Sequence, residues 1–382
     1  MRRRRLIVAG ASTALAGCFE DTSSEEAPAS DDLVREAIDA RGEINDLAAI
    51  RTMTAETPEE AIERRERLFQ RPPDAQRREV LESSDSRAPE GMVSVRNQEV
   101  TWGYNPTTET VLERHHPNRF VADRTRLVLE SLLEDYDLAY DGTDTVDNSE
   151  AHVVEATPKS DDEVGRSIEL LVGETVYAIP LEAADSAEVD EAEVVRTIWI
   201  GDEHRYPIKE QTVVETDERT LHSLTVTYDE LAINEGLEDG TFTYDPPSDA
   251  EVKSIGAEPI GIFDTPEAAA KILPFDLPDP AIPDDFELDR ITVLDRGFGT
   301  TATSWYVEPT TPERELFVAV RETSRFDPDA LTPIDIDGNE AYLRAGDLES
   351  VFWECEDVSY EVSSPHPGEP LEEIAASIGC PK

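Results

Sequence analysis

Lysine and the familiar catalytic motifs are scarce or missing in this 382-residue sequence. It has five lysines, and it contains no His-Glu-x-x-His, Cys-x-x-Cys, Walker or Gly-x-Ser-x-Gly pattern. The six histidines are dispersed except for His115 and His116, which would point to opposite faces of a strand and could not share a metal ion there. We therefore expect a protein that is not an enzyme and that has no cofactor and no metal.

One acidic stretch has some features of a calcium loop. Asp335, Asp337, Asn339 and Glu340 are spaced like ligands, but Gly338 stands at the fourth position and an EF-hand needs glycine at the sixth. The stretch is better explained as the turn of a β-hairpin. Adjacent carboxylates elsewhere are expected by chance in a chain with 86 Asp and Glu residues.

Basic charge is scarce as well. The chain has 34 Lys and Arg against 86 Asp and Glu, and its net charge is −52. The sequence argues against nucleic-acid binding, because no basic patch exists to replace the counterions of the phosphates. At molar salt the screening length falls to about 3 Å, so such self-repulsion largely disappears. The composition therefore resembles that of halophilic archaea, and an acidic face for a cationic partner is the alternative.

The first residues predict an export signal. Four arginines precede a short apolar run, residues 6–17, that is too short to span a bilayer. The run ends Leu-Ala-Gly-Cys, which resembles a lipobox; the resemblance implies cleavage after Gly17 and lipidation of Cys18. An ordinary cleavable signal or a membrane stub remains the alternative. We expect export, with the arginines suggesting the twin-arginine route, and anchoring on the outer face of the membrane through a flexible acidic tether, residues 18–32.

Two further cysteines, Cys355 and Cys380, remain once Cys18 carries lipid. Outside the cell an even pair can form a disulfide bond. Two buried free thiols are the other interpretation.

Periodicity along the chain predicts an α+β protein with two domains. The first domain, residues 33–252, begins with a helix predicted over Leu33 to Ala48. From about Glu59 to Val252 strands joined by short turns dominate, which favours an antiparallel sheet. One helix, Arg124 to Asp135, interrupts them and carries Leu127, Val128, Ser131 and Leu132 on one stripe. After a linker at 253–261, residues 262–382 form a smaller α+β domain that ends in an amphipathic helix.

Four short pieces of the first domain occur in a characteristic order: Arg71-Pro72-Pro73, Val100 to Pro106, Ile198 to Lys209 and Phe242 to Val252. With these pieces the domain resembles the LolA/LolB/RseB superfamily of exported lipoprotein carriers and sensors. The resemblance implies a curved antiparallel half-barrel with helices across its concave face, enclosing an apolar pocket.

The second domain has a further set of such pieces: Leu273-Pro274-Phe275, Pro280 to Pro283 with Phe286, Val351-Phe352-Trp353 and Ile374 to Ile378. With them it resembles an uncharacterised domain of exported proteins, and this likeness implies no chemistry.

Six aromatic residues on the expected strands are candidates for the lining of that pocket: Trp102, Tyr104, Trp199, Tyr206, Tyr228 and Phe242. Aromatic side chains that only fill the core are the alternative for each. An acyl chain gains about 0.8 kcal/mol per buried methylene, so such a pocket needs few polar groups. The leading hypothesis is therefore a membrane-anchored protein that binds lipid or a lipoprotein acyl chain. A non-catalytic envelope sensor or protein-interaction lipoprotein is the second hypothesis.

Overall fold

The computed structural model describes residues 28–119, 124–159, 167–172, 175–180, 192–217, 219–295, 297, 299–324, 326–346, 348–355 and 358–380. The predicted signal, Gly17 and Cys18 lie outside the described residues. Among those described, no helix has the length and apolar character that a bilayer crossing needs.

The first domain contains one twelve-stranded sheet. Its helices and strands, with a separate β9–β10 hairpin, are α1 Ser30–Arg41, β1 Leu47–Glu56, β2 Ala61–Arg71, β3 Ala75–Ser83, β4 Val93–Arg96, β5 Val100–Asn105, β6 Thr110–His115, α2 Arg124–Asp135, β7 Tyr136–Val146, β8 Ser149–Pro158, β9 Ser167–Val172, β10 Thr175–Pro180, β11 Glu193–Gly201, β12 Pro207–Glu215, β13 Thr220–Ile233 and β14 Glu251–Ile255. The strand order is β14-β6-β5-β4-β3-β2-β1-β13-β12-β11-β8-β7. All neighbours are antiparallel except β14 and β6.

Both long helices pack against one side of this sheet, which we call the helix face. Leu33, Val34 and Ala37 of α1 and Leu129 and Leu132 of α2 are buried there against apolar residues of β8 and β11. The stripe predicted for α2 is therefore displaced, because Leu127 is 53% exposed and Leu129 takes the buried position.

The second domain contains an eight-stranded antiparallel sheet. Its elements are β15 Gly261–Phe263, α3 Pro266–Ala269, β16 Glu287–Asp295, β17 Thr300–Glu308, β18 Thr311–Arg321, β19 Thr332–Ile336, β20 Asn339–Arg344, β21 Glu349–Cys355, β22 Val358–Ser364 and α4 Leu371–Ile378. The strand order is β15-β16-β17-β18-β22-β21-β20-β19. Helix α4 buries Leu371, Ile374 and Ala375 in the main core. A disulfide bond joins Cys355 at the end of β21 to Cys380, two residues beyond α4.

The chain is largely sheet, where the sequence predicted α+β, and neither large sheet closes on itself among the described strands. The first sheet continues through β14 to Ile255, three residues beyond the predicted end of the first domain. The second sheet begins at Gly261, at the end of the predicted linker.

The two domains meet around Asn118, which follows β6. The Asn118 Oδ1 atom accepts hydrogen bonds from the Thr292 hydroxyl and from Trp305 Nε1, the latter at 3.2 Å. Its Nδ2 atom donates to Thr303 Oγ1 at 3.3 Å. Arg290 donates to the carbonyl of Pro117 at 3.3 Å. A loop of the first domain is thus held by buried side chains of the second.

Candidate ligand cleft

Two of the six candidate aromatic residues come together on the helix face. Cross-strand pairing aligns Tyr228 of β13 with Arg51 of β1 and Glu66 of β2, so the three share one side of the sheet. The rings of Tyr206 and Tyr228 meet edge to face, with centroids 5.8 Å apart. Both rings are at most 5% exposed.

The other four aromatic residues lie elsewhere. Ile198 packs against the helices, and neighbouring residues of a strand point to opposite sides, so Trp199 lies on the side away from the helices. There the ammonium group of its cross-strand partner Lys209 lies 4.1 Å from the centre of the ring. Trp102 and Tyr104 also lie on that opposite side. Phe242 belongs to no strand; Arg71 lies over its ring at 5.2 Å.

Among the described residues, little room remains between α2 and the sheet beside the two tyrosines. The void there measures about 10 Å³ and is lined by α2 residues, including Leu129 and Leu132, and by Tyr206, Glu210 and Tyr228. A volume of this size holds about one water molecule. Between α2 and the part of the sheet that the structure describes, this void is far smaller than the apolar pocket that the family resemblance implies.

Charged side chains contribute to this filling. Arg196 and Glu210 face each other across 3.5 Å beneath α2. Burial raises the pKa of Glu210, and Arg196 opposes that shift. Farther along the helix face, on β1 and β2, Arg64 contacts Glu66 at 2.9 Å, and Arg51 also pairs with Glu66. The helix face of the sheet therefore carries both apolar groups and ion pairs.

A larger space opens on the other side of the two tyrosines. This cleft measures about 510 Å³, within the range of small-molecule pockets. Three separate segments surround it: the β7–β8 turn at 146–150, the β11–β12 turn with the start of β12, and the end of β13. Its apolar and aromatic lining consists of Val146, Tyr206, Ile208, Tyr228 and Leu231.

A β-bulge shapes one wall of the cleft. Ala48 pairs with Ala232 and Ile50 with Asp229, so Glu230 and Leu231 together oppose the single residue between Ala48 and Ile50. Glu230 has φ 51°, in the left-handed region. A bulge redirects side chains that strict alternation would separate, and here both bulged residues line the cleft.

Carboxylates form the polar part of the lining: Asp147, Glu150, Asp202, Glu203 and Glu230. Burial raises the pKa of neighbouring Asp229, and the like charges of Asp147 and Glu230 raise it further. By contrast, hydrogen bonding to Arg205 lowers the pKa of Asp202, whose carboxylate lies 2.7 Å from that guanidinium.

The cleft provides shape, apolar surface and negative charge. Within the described part of the chain, no group of three or more His, Cys, Asp or Glu side chains is arranged to hold a metal ion. A cleft that combines apolar side chains with carboxylates is suited to binding one end of an amphiphilic molecule.

Sequence reasoning missed most of these residues, including Val146, Ile208, Leu231, Asp147 and Glu230. The cleft is built from turns and strand ends that are far apart in the chain. The Asp147-Asn148 turn and the acidic pair Asp229-Glu230 are the local signals that could have indicated it.

No family model and no curated protein matches this sequence. Similar solved structures include the MucA/MucB complex of Pseudomonas aeruginosa, at 11% identity and TM-score 0.33, covering 91% of this chain and 96% of that chain. A LolA superfamily protein from Nitrosomonas europaea is 12% identical with TM-score 0.27, and the match covers 57% of this chain and 99% of that chain. The Mycobacterium tuberculosis lipoprotein LppX is 12% identical with TM-score 0.31, and the match covers 56% of this chain and 99% of that chain.

Proposed function

We propose that this protein is an exported lipoprotein that is anchored through Cys18 to the outer face of the cell membrane. In this proposal it binds the apolar part of an amphiphilic ligand and catalyses no reaction. The observation that carries the proposal is the 510 Å³ cleft with its apolar and aromatic lining. The half-barrel carrier architecture expected from the sequence belongs to the same proposal. The acidic, lysine-poor surface fits a protein that works in molar salt.

The ligand's chain ends at the tyrosine pair in this proposal. Each methylene removed from water contributes about 0.8 kcal/mol, so the apolar lining gives affinity that grows with chain length. Beyond Tyr206 and Tyr228 the chain would meet α2 and the Arg196–Glu210 pair. Affinity should therefore rise along a series of alkyl maltosides and then level off.

A titration with a matched variant pair tests the site. Leu231 is half-buried at the cleft, and Leu277 is half-buried against a core of the second domain. We expect Leu231→Ser to weaken decyl maltoside binding about tenfold, which corresponds to roughly 1.4 kcal/mol. Leu277→Ser should leave the affinity unchanged. Calorimetry in molar NaCl that detects no saturable binding to the unaltered protein would refute the proposal.

The anchor is tested separately. Intact mass spectrometry of membrane-extracted protein should show a chain that begins at a lipidated Cys18. Replacing it, Cys18→Ser, should release the protein from the membrane fraction. An uncleaved and unmodified N-terminus would contradict the anchor and leave the cleft unaffected.

A second candidate function is a non-catalytic envelope sensor whose two domains act together. The buried contact around Asn118 favours it, because that contact ties a loop of the first domain to the second. If this function is correct, full-length protein should capture an envelope partner, and Asn118→Ala should weaken capture without altering decyl maltoside affinity. Equal capture by both proteins would count against it.

A further inference from the structure

The charged residues that line the cleft all carry the same sign, apart from one histidine. Five carboxylates contribute to the lining, and among the lining residues His204 is the single basic side chain. Arg205, next in sequence, is not a lining residue, but its guanidinium contacts the lining carboxylate Asp202 at 2.7 Å and also Glu36 at 2.9 Å. Asp147, Glu150 and Glu230 line the cleft from other segments.

General acidity of the chain does not account for selectivity inside a cleft. In molar salt the screening length is about 3 Å, so carboxylates spread over the surface have little effect on a ligand at a distance. Groups in direct contact within a partly enclosed space are screened much less. Only the carboxylates that touch the ligand can then discriminate between head groups.

The cleft brings such groups together from separate segments. Asp147 comes from the β7–β8 turn and Glu230 from the bulge of β13, and the charges of both raise the pKa of Asp229. The carboxylates therefore interact with one another. A cation placed among them would relieve this repulsion.

Aromatic groups lie beside the carboxylates. The rings of Tyr206 and Tyr228 stand at 81° to each other and contribute to the cleft lining. Because both tyrosines are at most 5% exposed, they give the cleft a firm apolar wall, and the carboxylates beside that wall supply the charge that an organic ammonium ion requires. An anionic head group would be repelled at this position.

From this geometry we propose that the cleft selects amphiphiles whose polar end is an ammonium group, with Asp147 and Glu230 contacting the cation and Leu231 contacting the chain. The inference rests on the proposed function, since it names the ligand class of the same cleft.

Three surfactants with the same ten-carbon chain test the inference on the full-length protein in molar NaCl. Decyltrimethylammonium, decyl maltoside and decyl sulfate are titrated as monomers by calorimetry. We expect decyltrimethylammonium to bind about fivefold or more tightly than decyl maltoside, and decyl sulfate to bind weakest.

Two double variants with equal charge change provide the control. Asp147→Asn with Glu230→Gln should weaken decyltrimethylammonium binding about fivefold to tenfold and change decyl maltoside binding by a clearly smaller factor. Asp249 and Glu258 are exposed residues outside the cleft lining, so Asp249→Asn with Glu258→Gln should alter neither affinity. A thermal unfolding midpoint close to that of the unaltered protein shows that a variant is folded.

The outcomes separate this inference from the proposed function. Equal affinity for all three surfactants, or an equal loss of decyltrimethylammonium affinity in both double variants, would overturn the ammonium selectivity. The proposed function would still stand as long as decyl maltoside binds. If none of the three surfactants binds, the ammonium selectivity and the proposed function are both refuted.

Discussion

Asn118→Ala should destabilise the contact between the domains strongly for a single substitution. Thr292, Thr303 and Trp305 are each at most 2% exposed, and each makes a hydrogen bond to the Asn118 amide. Trp305 Nε1 can only donate, so the amide oxygen must face it and no other amide orientation fits. Alanine would remove these partners from three buried polar groups.

The magnitude follows from the number of groups left without partners. A buried donor or acceptor without its partner costs about 1–3 kcal/mol. Because Asn118 itself is half-buried, water can replace part of the loss, and we expect about 2–4 kcal/mol in total. Denaturant unfolding in molar NaCl, followed by tryptophan fluorescence, measures the change.

A second hydrogen bond between the domains provides the control. Gln98 donates to Asp289 at 3.4 Å in an exposed position. Gln98→Ala should cost less than about 0.5 kcal/mol, since exposed substitutions have small effects. If Asn118→Ala and Gln98→Ala shift the unfolding midpoint equally, burial of the partners does not determine the strength of this contact.

Three further predictions concern the framework. Replacing Cys355 and Cys380 with serine should lower the free energy of unfolding by about 3 kcal/mol, the chain-entropy value for their separation of 25 residues; an unfolding curve that does not respond to reductant would contradict it. Burial raises the pKa of Glu66, but three arginines outweigh it and hold the pKa below 4.5. The stability that the carboxylate contributes is therefore present above pH 4.5 and lost as pH falls through the lowered pKa, so Glu66→Gln should cost about 3 kcal/mol at neutral pH and progressively less in acid titrations of unfolding. Gly256 has φ 92°, and a Cβ at this position would collide with the carbonyl of His115. Gly256→Ala should therefore lower the free energy of unfolding by about 2 kcal/mol, and an unchanged midpoint in thermal unfolding would contradict this.

Alternating sequences predicted most strands because one side of each strand is buried. The helix at 124–135 was predicted with the bounds that the structure has. Strand β7, Tyr136–Val146, was missed because its Asp and Gly residues are unfavourable in strands, and it occupies a sheet edge. Conversely, Thr241 to Tyr244 alternates like a strand, but it forms turns after Gly240, whose φ is 81°.

Which face an aromatic residue occupies could not be obtained from periodicity. In Ile198-Trp199-Ile200 all three residues are buried, so the sequence shows no alternation between a polar and an apolar side. Cross-strand register assigns Trp199 to the opposite side from the helices. Register depends on bulges such as the one at Glu230, which no local pattern in the sequence indicates.

Because little room remains between α2 and the described part of the sheet, ligand specificity has to arise in the cleft. A chain pushed past the tyrosines would come to lie beside the Arg196–Glu210 pair. The alkyl chain would then displace the water that still solvates these two charged groups. The free energy of that desolvation exceeds what burial of a few methylenes contributes. The cleft avoids this cost, because its carboxylates line a space with an opening. Selection among ligands therefore depends on the head group at Asp147 and Glu230, and the apolar side chains of the cleft determine only how much of the alkyl chain is bound.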